Sequence, residues 1–155
     1  MKTTGRLLLS IAVLVGVFAV APAAHAATIA VNTTADEVNS DGDCSLREAL
    51  ISANTDAVSD ACTVGSGPDT ITIPAGTYTL AIPEDGTPDD TADGDLDISS
   101  SVTLDPTGVV VIDGADLQRV FDVLAGAGNA LTASDLTIRN GNDSGDGGGS
   151  IARPT

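Results

Sequence analysis

Tryptophan is missing from this chain of 155 residues, tyrosine occurs once and phenylalanine twice, so aromatics make up 2% of it. A wide core between two sheets draws on large rings for filler. With only Phe18, Tyr78 and Phe121 available, the interior must be narrow and built from Ile, Leu, Val and Thr. Histidine and lysine occur once each, as His25 and Lys2, and both lie in a leader-like N-terminus. Loss of that leader leaves no Ser-His-Asp triad, no histidine metal ligand and no lysine nucleophile or base.

The leader itself has three parts. Lys2 and Arg6 give the charged start, Leu7 to Ala21 the apolar centre, and Ala24-His25-Ala26 a small-x-small cleavage site. The apolar run falls short of the roughly 20 residues a spanning helix needs. Residues 1–26 therefore read as a secretory signal cleaved after Ala26, leaving 155 − 26 = 129 residues, secreted or at the cell surface with no membrane span. The mature charge is 4 basic (Arg47, Arg119, Arg139, Arg153) minus 22 acidic, or −18. Nothing in that balance neutralises phosphates, which excludes nucleic acid as a partner. Hard cations such as Ca²⁺ are compatible with it.

Export sets the redox chemistry. Cys44 and Cys62 are the only cysteines, they lack C-x-x-C spacing, and an oxidising compartment makes a structural disulfide the expectation.

Next to Cys44 the sequence predicts a helix. Ser45 and Glu48 have capping-box spacing, and Leu46, Ala49, Leu50 and Ala53 make one apolar stripe running to about Asn54. A helix this short needs packing to persist. Arg47, on its polar side, is expected to pair with Asp41 or Asp43.

Beyond residue 69 the pattern changes to short strands bounded by Gly, Pro, Asp or Asn. Thr28–Asn32 is a first, isolated one. Asp69–Ile73, Gly76–Leu80, Ser100–Leu104 and Ser134–Ile138 are versions of one apolar-Thr-apolar unit; Val109–Ile112, Val120–Val123 and the surroundings of Leu131 add more. Recurrence favours a solenoid over a sandwich. Aligning Ile71, Val102 and Leu136 gives intervals of 31 and 34 residues, longer than a tight coil, so either loops bulge or the matched strands belong to different faces.

The run Asp43-Cys44-Ser45-Leu46-Arg47-Glu48-Ala49-Leu50-Ile51-Ser52-Ala53-Asn54 resembles the N-terminal module of the CSLREA proteins, secreted or surface proteins of bacteria and archaea. The resemblance extends from about Thr28 to Gly149. It implies an all-β fold: the start of a right-handed parallel β-helix, with a short disulfide-linked helix as its N-terminal cap. Residues 27–68 would form the cap module and 69–149 the first coils. The chain then stops at 150–155 without a closing cap, which reads as a truncated end of a longer protein.

Two acidic stretches could hold a cation. Glu37, Asn39, Asp41, Asp43 and Glu48 follow the EF-hand spacing, with Glu in place of the first Asp and Gly42 at the sharp turn. Glu48 is already explained by the cap, and no helix precedes Glu37, so the expectation is an ordinary turn with Ca²⁺ as the alternative and no obligatory cofactor. Glu84, Asp85, Asp89, Asp90, Asp93, Asp95 and Asp97 form the second stretch, expected as a solvated loop because position twelve of its partial match is Ser100.

For catalysis, Asp89/Asp90 or Asp113/Asp116 could pair as hydrolase carboxylates and Arg119 or Arg139 could serve a lyase. Adjacent Asp residues are commonplace, and strand-end Arg residues pair with nearby acids. The expectation is a non-enzymatic, scaffold or adhesin-like protein whose side faces meet an extracellular glycan or protein surface. The alternative is the N-terminal part of a polysaccharide lyase or glycoside hydrolase with its catalytic coils elsewhere.

Overall fold

The computed structural model describes residues 25–142, apart from 88 and 118. Most of the segment expected to be a signal (1–24) and the C-terminal stretch 143–155 lie outside the described residues.

Among the described residues one helix and nine short strands follow in the order β1 (Thr28–Ala30), α1 (Leu46–Thr55), β2 (Asp69–Ile73), β3 (Gly76–Thr79), β4 (Leu96–Ile98), β5 (Ser101–Pro106), β6 (Val110–Asp113), β7 (Phe121–Val123), β8 (Ala130–Ala133) and β9 (Leu136–Arg139). Every pairing is parallel. The first sheet has the order β1-β2-β5-β8, the second β3-β6-β9, and the third β4-β7. From β2 onward the chain visits first, second and third sheet, then repeats that order through β9.

Parallel pairing in register stacks like residues into ladders. Ile29, Ile71, Leu104 and Ala133 line up across the first sheet, Tyr78, Ile112 and Ile138 across the second, and Leu96 and Phe121 across the third. The first three members of the first ladder are at most 2% exposed. Narrow aliphatic ladders need few rings, as the composition predicts. Turns stack as well: a Cβ added at Gly108 would lie 2.8 Å from the Cβ of Ala75, so the β5–β6 turn sits close upon the β2–β3 turn.

The register resolves the uneven spacing. Ile71 opposes Leu104, with Val102 two residues earlier on the same strand. Leu136 belongs to the second sheet, opposite Val110. The 134–138 unit therefore matches Gly76–Thr79 and not Asp69–Ile73, and residues 80–95 form a long excursion between β3 and β4.

The helix packs against β1, β2 and β4. Leu46, Ala49, Leu50 and Ala53 are buried, as their spacing requires, and Cys44 and Cys62 are disulfide-bonded with Cα atoms 4.9 Å apart. At the other end of the module, the Ala27 amide donates to Oδ1 of the buried Asp69 at 2.8 Å. No helix among the described residues is long and apolar enough to cross a membrane.

Candidate functional site

The seven residues Cys44–Leu50 are all buried, and each has a structural task. Ser45 Oγ accepts from the Glu48 amide at 3.1 Å and donates to the Glu37 carbonyl at 2.9 Å. Glu48 accepts from the Ser45 amide through Oε2 and from the Asn39 amide through Oε1, both at 3.0 Å. The capping box is thus complete, and it also fixes the loop that enters the helix.

Arg47 does not pair with Asp41 or Asp43. Its guanidinium is fully buried and holds Asp36, with Nε at 2.6 Å from Oδ1 and Nη2 at 3.1 Å from Oδ2. The remaining donors reach the carbonyls of Thr91 (2.9 Å), Gly94 (2.9 Å) and Asp95 (3.4 Å). All five N–H groups are used. Oδ2 of Asp36 also accepts from the Ala81 and Ile82 amides, at 2.7 and 3.0 Å. One ion pair therefore ties α1 to both ends of the 80–95 excursion.

Asn54 adds a second tether. Its amide nitrogen donates to the Asp97 carbonyl at 2.7 Å and to Thr91 Oγ1 at 3.0 Å, and its oxygen accepts from the Ser99 amide at 2.9 Å. Held at both places, the excursion brings the Asp89 carboxylate beside Asp97 and Asp122 of the third sheet. This corrects the expectation of a solvated acidic loop only at its C-terminal end, since Glu84, Asp85, Asp89 and Asp90 are exposed. Asp95 and Asp97 are 5% and 2% exposed, and Leu96-Asp97-Ile98 is a strand whose two apolar residues are fully buried.

Two acidic clusters result. In the first, carboxylate oxygens of Glu37, Asp41 and Asp43 lie within 4.8 Å of one another, as do those of Asp43, Glu48 and Asp60. Asp60, which the sequence pattern misses, accepts the Asp41 and Gly42 amides at 3.2 and 2.8 Å. Burial, then the negative neighbours, raises the pKa of both Glu37 and Asp43. Asn39 donates to Glu37 at 2.7 Å, and both Glu48 oxygens already accept backbone amides. The EF-hand residues are therefore brought together, but Glu48 is taken up by the helix cap.

In the second cluster Asp89, Asp97 and Asp122 bring carboxylate oxygens within 4.8 Å of one another. Asp89 and Asp97 border a small cleft of about 30 Å³ that also receives Glu84, Asp90, Asp93, Asp95 and Arg119. Arg119 bonds Asp95 through Nε and Asp122 through Nη2, the latter at 2.8 Å. Burial and the charges of Asp95, Asp122 and Asp89 push the Asp97 carboxyl up to about 7, against a partial offset from Arg119.

The other candidates for chemistry are committed elsewhere. Asp113 accepts the Ala115 amide at 3.0 Å, the Asn140 amide group at 2.9 Å and Arg139 Nε at 2.8 Å, which together lower its pKa. Arg119 and Arg139 are both ion-paired. No family model, no curated protein and no solved structure matches this chain.

Proposed function

We propose that this chain is the opening part of a secreted or cell-surface right-handed parallel β-helix of the CSLREA type, a scaffold with a structural or adhesive role. The observation that carries this reading is the complete burial of Cys44–Leu50. Each of its polar and cysteine side chains is spent on a disulfide, a cap or the Arg47 hub, which suits a module that starts a fold and not one that presents reactive groups.

Three further points support it. The repeated order of sheets and the ladders along them are what successive coils produce. Among the described residues β7, β8 and β9 each have one unpaired edge, and Val123 and Ile138 beside them are 45% and 36% exposed, so added strands would find partners there. The disulfide fits an oxidising compartment.

The competing enzyme reading is decided by assay. Exported protein should release no reducing or unsaturated sugars from pectin, alginate or related polymers, and should be found in the medium or on the surface of intact producing cells. Polymer turnover abolished by a substitution at Arg119, Arg139 or a cleft Asp would replace the scaffold with a carbohydrate-active enzyme.

A further inference from the structure

We propose that Asp89, Asp97 and Asp122 bind one hard divalent cation, Ca²⁺ by their ligand class and spacing. Asp97 is 2% exposed, and its Oδ1 is a buried oxygen with no hydrogen-bond partner. A carboxylate taken from water in that state is costly unless something compensates it. Strand register makes matters worse, because Asp97 and Asp122 are direct partners on β4 and β7. Like charges placed opposite each other across a strand pair destabilise it.

Arg119 does not answer this need. It is engaged by Asp95 and Asp122, and Asp97 receives no hydrogen bond from it. The third carboxylate, Asp89, comes from the excursion that Arg47 and Asn54 hold in place. Oxygens all within 4.8 Å of one another are close enough to share one Ca²⁺, whose ligands each lie at about 2.3–2.6 Å. Mg²⁺ demands a tighter octahedron, at about 2.0–2.1 Å, than a strand pair and a loop readily supply. The cleft of about 30 Å³ leaves space for water to complete the coordination.

The site differs from the EF-hand-like spacing noted in the sequence. Only Asp89 comes from the excursion; Asp97 and Asp122 lie on β4 and β7, 25 residues apart, and parallel pairing sets them side by side.

Equilibrium dialysis against ⁴⁵CaCl₂ tests the proposal on the exported, chelator-stripped chain at pH 7.5 and physiological salt. The wild type should bind with a Kd of about 10⁻⁴ to 10⁻³ M, the range of extracellular calcium modules. Asp97→Asn removes a buried charge and should still fold, while weakening binding at least tenfold. Asp89→Asn, at an exposed position, should do the same without touching the packing. No saturable binding by the wild type, or unchanged affinity in both variants, overturns the assignment. So does binding that survives in both variants and disappears in an Asp41→Asn/Asp43→Asn double variant, which would put the ion at the first cluster.

Discussion

Arg47 and Asp36, eleven residues apart, form a two-point ion pair sealed from solvent, and the same guanidinium closes on three backbone carbonyls of the 91–95 turn. A point charge cannot reproduce that pattern. Arg47→Met leaves Asp36 buried without its partner and should cost about 3–5 kcal/mol. Arg47→Lys should recover only part of the loss. Urea melts check both, and a Met variant as stable as the wild type would show that the hub contributes nothing.

The helix cap gives a second prediction. Ser45→Ala should cost about 0.5–2 kcal/mol. Glu48→Gln is not neutral here, although Gln serves in many capping boxes, because two amides converge on the two Glu48 oxygens. Gln offers one acceptor, and its NH₂ must face a buried N–H, at a cost of about 1–3 kcal/mol. Thermal melts of the two variants should therefore fall in the same range.

Stability without divalent cation should fall as pH rises from about 4 through 7 at one group. Asp97 has its pKa raised from 3.8 to about 7 by burial and by Asp95, Asp122 and Asp89, with Arg119 as the opposing cation. Between those values the folded chain keeps a proton that the unfolded chain has released, so raising the pH favours unfolding. Asp97→Asn should flatten that part of the profile. Asp113 acts in the opposite sense: its lowered pKa gives stability that is lost as pH falls below 3.8. Melting temperatures in chelator, taken across the pH range, separate the two slopes.

The Cys44–Cys62 bond closes a loop of 18 residues. Replacing both cysteines by serine should cost about 3 kcal/mol on the chain-entropy account. Intact exported protein should contain no thiol that alkylates under non-reducing conditions.

Much of the architecture can be read from local pattern. The capping box, the Leu46/Ala49/Leu50/Ala53 stripe and the alternating strands each announce themselves over a few residues, because the signals are short in range. β4 escapes notice for a physical reason: Leu96 and Ile98 flank a single Asp within an acid-rich stretch, and their burial depends on a helix more than 40 residues earlier. The same holds for Arg47. Its helical position suggests a neighbour such as Asp43, while its actual partners lie 11 to 48 residues away. Of the second acidic cluster, Asp89 and Asp97 stand out in the sequence; Asp122 becomes their neighbour only through the β4–β7 register.

The contact between Ala27 and Asp69 has a consequence for the timing of maturation. In the unprocessed chain the group facing Oδ1 of Asp69 at 2.8 Å is a neutral peptide amide. If the leader is cleaved after Ala26, as the proposed secreted role requires, that nitrogen becomes an ammonium beside a carboxylate only 2% exposed. The precursor would hold Asp69 by a neutral hydrogen bond and the processed chain by an ion pair, so the contact that anchors the start of the first strand would strengthen once the leader has gone. Asp69→Asn should then lower the melting temperature of the processed form more than that of a cleavage-blocked precursor, and equal shifts in the two would rule the latch out.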